Sequence, residues 1–185
     1  MEGHVEHGGD KRIALLIAIL ALFLALAETG AKSAQTEAIT RNVEAANLWA
    51  FFQARTIRQT TLRTAAEEVE LQKALTAEEA ARNAMAAQQQ RWRDTLDRWE
   101  SEPETGEGRK ELTARARAAE AARDHSMAAY HLYEYGAAAF QVAIVLASAS
   151  IITGVPALAI GSIALGLAGL VLGGMGFLTP EAVHL

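Results

Sequence analysis

YGAAAFQVAIVLASASIITGVPALAIGSIALGLAGLVLGGMGFLTP, Tyr135 to Pro180, decides the fold: 46 residues (135 through 180) pass without one Asp, Glu, Lys, Arg or His. A helix needs about 20 residues to cross a bilayer, because each rises ~1.5 Å through a hydrocarbon slab ~30 Å thick. The run is too long for one crossing and suits two. Thr153-Gly154-Val155-Pro156 supplies the break, since Pro lacks an N–H and Gly tolerates a reversed backbone. This predicts two antiparallel transmembrane helices, 136–152 and 157–178, with a tail at 179–185.

Ile13 to Ala27 is a second uncharged stretch, made only of Ala, Leu, Ile and Phe and preceded by Lys11-Arg12. Its length would suit a signal-peptide core. The Ala27-Glu28-Thr29-Gly30-Ala31 that follows, however, is not a clean Ala-x-Ala cleavage site. Continuing the helix to Ala31 makes it long enough to span, so we read an uncleaved anchor over 13–31 behind a flexible His/Glu/Gly-rich tail, 1–12. The 185 residues carry a net charge of −5, three Pro and no Cys. The missing cysteines exclude disulfide scaffolds, thiolate zinc sites and cysteine nucleophiles. The acidic balance argues against general nucleic-acid binding.

Each span carries a stripe of small residues. Ala14, Ala18, Ala21 and Ala25 mark the first, and Gly136, Ala139, Ala143, Ala147 and Ser150 the second. In the third, Ala159, Ser162, Gly166, Gly169, Gly173 and Gly176 repeat at helical spacing and include a GxxxG pair. Close backbone approach drives helix association in lipid, where burying Leu gains almost nothing over the lipid tails. The last stripe is therefore the expected helix-packing or oligomer interface, within one chain or between chains.

Residues 32–135, rich in Ala, Glu, Arg and Gln, read as an extramembrane helical domain. Its clear loop is the polar turn 101–108, with one Pro and two Gly. Met85, Gln89, Trp92, Leu96 and Trp99 form a stripe before it. Leu112, Ala116, Ala119, Arg123, Ser126, Tyr130 and Tyr133 approximate one after it. Large-into-small packing of the two Trp on alanines predicts an antiparallel helical hairpin or coiled coil across 101–108.

Length constrains the rest. The arm from Arg109 to Tyr135 reaches ~40 Å, whereas Lys32 to Glu100 would reach ~100 Å if straight. The outgoing segment must fold back, lie along the membrane or tilt. Thr76-Ala-Glu-Glu79 and Thr64-Ala-Ala-Glu67 both fit a capping box, so the break is not uniquely placed.

Trp49, Phe51 and Phe52, followed by Arg55 and Arg58, form the most distinctive cluster. It suits a partner or headgroup contact, or a core wedge under the hairpin, which is the slightly better fit. Its balanced charge argues against nucleic acid.

Together, the Lys-Arg-preceded first span, Lys32-Ser-Ala-Gln-Thr-Glu-Ala-Ile39, Asn47-Leu-Trp-Ala-Phe-Phe-Gln-Ala-Arg55 and the carboxy-terminal hydrophobic pair resemble the bacterial membrane proteins grouped as a domain of unknown function, DUF4337. The resemblance covers nearly the whole chain. It implies a bacterial inner-membrane protein with three spans and a helical extramembrane region, and it transfers no catalytic residue.

Chemistry-bearing patterns are few. His4 and His7 with Glu2, Glu6 and Asp10 read as a solvated tail rather than a metal site. His125 and His131 lack the same-face spacing of a helical two-His site, and with Tyr130, Tyr133 and Tyr135 they read as an aromatic belt. Glu28 and Gln141 are the strongly polar groups nearest lipid, with Glu28 at a span end. We expect no catalytic residue, no cofactor, no metal, no small-molecule substrate and no nucleic acid. The expectation is an all-α, non-enzymatic scaffold or accessory subunit with three transmembrane helices, embedded in the lipid bilayer, that self-associates or binds a membrane complex. The alternative is a transport or channel component whose Gly-rich third span lines a pathway. Lys11-Arg12 beside the first span leans the helical domain toward the periplasm.

Overall fold

The structure, a computed structural model, describes residues 7–182. Four helices account for nearly all of them: α1 His7–Leu75, α2 Glu79–Glu100, α3 Arg109–Thr153 and α4 Pro156–Leu178, followed by a 3-10 turn, Pro180–Ala182. No strand occurs among the described residues. Helices α1, α3 and α4 are long and apolar enough to cross a membrane, by length and composition. The chain divides into two compact units. One comprises the residues up to Thr40 together with those from Ala122 onward, and the other Arg41–Ala121.

The apolar unit is built on small residues. Its core joins Leu20 and Ala27 of α1 to Ala137, Phe140 and Ala143 of α3, with Leu16, Phe23, Leu24, Ile144 and Leu165 packed around them. The Phe23 and Phe140 rings stack with centroids 6.0 Å apart. Gly136 and Gly169 bring α3 and α4 so close that a Cβ on Gly169 would stand 3.0 Å from the Gly136 carbonyl oxygen. The break between α3 and α4 follows the residue chemistry. Gly154 has φ +67°, its N–H donates to Ser150 O at 2.9 Å, and Pro156 opens α4 where a helix needs no N–H.

In this unit the sequence stripes divide. Ala143, Ala147 and Ser150 of α3 are buried, but Ala14, Ala18, Ala21 and Ala25 of α1 all face outward. The expected inward small face of the first span is therefore replaced by Leu16, Leu20, Phe23 and Ala27. A lipid-facing surface accepts Ala as readily as Leu, so the stripe alone did not identify the packed side.

The second unit is organised along α1. Its inward residues recur at alternating three- and four-residue steps: Ala45, Leu48, Phe52, Arg55, Gln59, Leu62, Ala66, Val69 and Lys73. Helix α1 ends at Leu75, and Thr76-Ala-Glu78 turns the chain into α2. The break lies at Thr76-Ala-Glu-Glu79, the second of the two Thr-x-x-Glu patterns along the chain, while helix runs unbroken through Thr64–Glu67. No side-chain cap bond forms at Glu78, and the Thr76 hydroxyl donates back to Gln72 O at 2.7 Å.

Partners then step down α1 as the chain advances. Lys73 Nζ meets Gln89 Oε1 at 3.1 Å, Gln89 Nε2 donates to Ala66 O at 3.0 Å, and Gln59 Nε2 donates to Leu96 O at 3.4 Å. Beyond the loop, Leu112, Ala116 and Ala119 of α3 pack on Ala45 and Leu48. Both arms flanking 101–108 thus contact α1, in place of the expected packing of Trp92 and Trp99 on the alanines of α3. The loop itself explains this. Glu111 accepts from Ser101 Oγ at 2.7 Å and from the Glu102 amide at 3.1 Å. A Cβ on the buried Gly108 would overlap the Glu111 carboxylate and the Glu102 backbone. The loop is therefore held as a compact joint that passes α2 on to α3 along the same helix.

Candidate functional site

The sequence singles out two groups, and each falls inside one unit. In α4, Ser162, Gly166, Gly169 and Gly176 are buried, with Ala159 and Gly173 half-buried. Their neighbours belong to the same chain. A Cβ on Gly166 would stand 2.7 Å from Leu20 Cδ2, and one on Gly176 would stand 3.3 Å from Leu132 Cβ. Gly166, Gly169 and Gly176 are thus occupied by helix packing within the chain, whereas a Cβ on Gly173 would meet nothing within 4 Å among the described residues. Ser162 is fully buried, and its hydroxyl has no hydrogen-bond partner.

In the second unit, Trp49, Phe51, Phe52 and Arg55 come together while Arg58 does not. Trp49 Nε1 donates to Glu120 Oε1 at 2.8 Å, and its ring meets Phe52 edge-on at 5.6 Å. Arg55 is 7% exposed and donates to Glu107 Oε2 at 2.9 Å, with Glu102 Oε2 at 3.7 Å. Its guanidinium lies 5.3 Å from the Phe51 centroid and 5.9 Å from that of Trp99. Desolvated next to rings and carboxylates, such a cation is held electrostatically from both sides. Arg58 is exposed. Of the two expectations for this cluster, the inward guanidinium accords with a core wedge.

Around the wedge lies a polar interior that the sequence reading missed. Gln59 is 1% exposed. Arg109 Nη1 donates to both Gln59 Oε1 and Glu100 Oε2 at 3.0 Å, and its guanidinium stands 4.9 Å from the Phe52 centroid. Gln89 bridges Lys73 and the Ala66 carbonyl. The signal was present in the inward repeat of α1, where Arg55, Gln59 and Lys73 hold positions that would otherwise be apolar. Buried polar residues at such positions fix which partner residue lies opposite.

The remaining candidates bear little chemistry. Glu28 Oε1 accepts from Gln141 Nε2 at 3.4 Å across exposed side chains. His125 Nδ1 lies 2.9 Å from Glu181 Oε1, and His131 stacks obliquely on Tyr130 at 5.3 Å. Glu2, His4 and Glu6 lie outside the described residues, as do the side chains of His7 and Asp10. No cluster of three or more His, Asp or Glu able to hold a metal occurs among the described residues.

Neither the curated proteins nor the solved structures contain a match to the chain. A family model does match, over residues 9–179, which covers both units and all four helices. The chain belongs to the family described as a domain of unknown function, DUF4337.

Proposed function

We propose that the protein is a non-enzymatic, membrane-anchored helical scaffold or accessory subunit of the bacterial inner membrane, crossing it three times and self-associating or docking on a membrane complex. One observation carries the reading. The apolar unit turns a broad band of large apolar residues outward: Leu15, Ile19, Leu22 and Leu26 on α1, Val142 and Val145 on α3, and Ile160, Ile163, Leu167 and Val171 on α4. In water that surface would associate without specificity, whereas against lipid tails it costs nothing.

Support for self-association comes from the outward face of α1 in the second unit. Val43, Ile57 and Leu71 are exposed there, two heptads apart. A repeat of that period suits a parallel or antiparallel partner helix. The transport alternative has weaker support, because Gly166 and Gly169 lie against Leu20 and Phe140 rather than along a path. Lys11-Arg12 favours placing the helical domain in the periplasm.

Alkaline carbonate extraction tests the anchor: the chain should remain with the membrane pellet, and its release to the supernatant would overturn the reading. Light scattering on the detergent-solubilised chain tests association. Ile57→Glu with Leu71→Glu should lower the particle mass to that of one chain, and an unchanged mass removes this face from the proposal.

A further inference from the structure

Two clefts of the apolar unit share part of their lining. One, of about 360 Å³, is walled by Phe23, Leu26, Phe140 and Leu170 and floored by Gly173 and Gly174 of α4. The other, of about 680 Å³, opens between residues 29–37 of α1 and 125–133 of α3, with Lys32, Ser33, Glu37, His125 and Ser126 on its walls. Gly30, Tyr133 and Phe177 line both. The result is one groove with an apolar end and a polar end.

The chemistry changes along it within a few residues. The apolar end is open because of the glycines: among the described residues a Cβ on Gly173 or Gly174 would meet nothing within 4 Å. Elsewhere on α4, Gly166, Gly169 and Gly176 are filled by neighbouring side chains, so this gap is a local feature. At the polar end Lys32 is exposed. Glu37 shares that wall, and the lining His125 holds Glu181, which lies outside the cleft lining, at 2.9 Å.

We propose that this groove binds one glycerophospholipid with a primary-ammonium headgroup, of the phosphatidylethanolamine class. An acyl chain fills the slot over Gly173 and Gly174. The phosphate pairs with Lys32, and the ammonium, with three N–H donors, faces the Glu37 carboxylate, with Glu181 beyond His125 adding to the negative field. A purely anionic headgroup would meet those carboxylates unfavourably, and a trimethylated one has no N–H to donate. The inference rests on the membrane reading above, because the polar end coincides with the end of the first apolar stretch.

The test is native mass spectrometry of the full detergent-solubilised chain, titrated separately with phosphatidylethanolamine, phosphatidylcholine and phosphatidylglycerol. The expected result is one retained phosphatidylethanolamine per chain. Retention should fall at least tenfold in Gly173→Leu and in Gly174→Leu, whose Cβ meets nothing within 4 Å, and in Lys32→Gln. Circular dichroism should show helix content unchanged in all three. Equal retention in wild type and variants, or a preference for phosphatidylglycerol or phosphatidylcholine, overturns the proposal. If the chain stays in carbonate-washed membranes but holds no lipid, only this inference fails. If it leaves the membrane, the anchor reading fails first.

Discussion

The two units solve the same packing problem with opposite materials. In the apolar unit, helices approach through glycine and alanine around a few large side chains, Leu20, Phe140 and Leu132, and most other large residues face outward. In the Arg41–Ala121 unit the interior holds a buried arginine, two buried glutamines and a fringe of tryptophan and phenylalanine. The contrast follows from what each exterior gains. Water rewards apolar burial, so the second unit can accommodate a few costly polar groups and use them to select partners. Lipid gives no such reward, so the first unit depends on close contact and tolerates little added volume where its helices meet, at Gly166 and Gly169.

The contrast breaks most visibly at Gly169. Gly169→Leu would push a side chain into the Gly136 carbonyl and the Phe140 ring, each 3.0 Å from the new Cβ. We expect a loss of about 3 kcal/mol, read as a lower melting temperature in detergent. A melting curve matching wild type would remove the tight α3–α4 contact from the account.

Next in size is Arg55→Met, which keeps bulk and removes the charge. Glu102 and Glu107 lose their buried partner, at a cost of about 2–3 kcal/mol because both carboxylates retain some access to water. Chemical denaturation followed by Trp fluorescence checks it, since all three tryptophans lie in this unit. Arg55→Lys should recover less than half of that loss, because an ammonium cannot stack on Phe51 and Trp99 as a planar guanidinium does.

A smaller effect is expected at the turn between α3 and α4. Gly154→Ala meets open space yet forces φ +67° on a residue with a Cβ, costing about 1 kcal/mol in a thermal melt.

The smallest effect sharpens the comparison through pH. The Ser101 hydroxyl and the Glu102 amide hold the Glu111 carboxyl below its ordinary value, and the Lys73 ammonium does the same for Glu70, with Gln89 assisting. A carboxyl depressed on folding contributes its stability fully above its unfolded pKa and loses it as pH falls through the folded one. The Trp-reported unfolding of this unit should therefore weaken below about pH 5. Glu111→Gln should flatten that slope. An identical slope in the variant would detach the joint at 101–108 from the acid response.

Much of the helix inventory was legible in the residues. An uninterrupted neutral run, a Gly-x-Pro break and a polar Pro/Gly loop are local signals, and local signals survive any tertiary arrangement. The inner face of α2, Met85 through Trp99, could also be read, because periodicity reports which side of a helix is buried. Periodicity does not say by what. The alanines after the loop found Ala45 and Leu48 rather than Trp92, a choice set by Gly108 and Glu111, two residues with no hydrophobic signature. The outward Ala14–Ala25 stripe misled for a related reason: small side chains are permitted on both the packed and the lipid-facing side. Gln59 was hidden because a polar residue in an amphipathic repeat reads as solvent-facing until its partner is seen.

The distance along the chain between contacting groups has a consequence for biosynthesis. Glu28 meets Gln141 across 113 residues, and Trp49 meets Glu120 across 71. At roughly 5–20 residues per second, the ribosome would leave the first apolar segment waiting on the order of ten seconds for α3 to emerge. During that interval it must persist alone, with only lipid or an insertion factor as company. Its early residues carry leucine and isoleucine around most of the circumference, so they suit a helix that spends its first moments without neighbours.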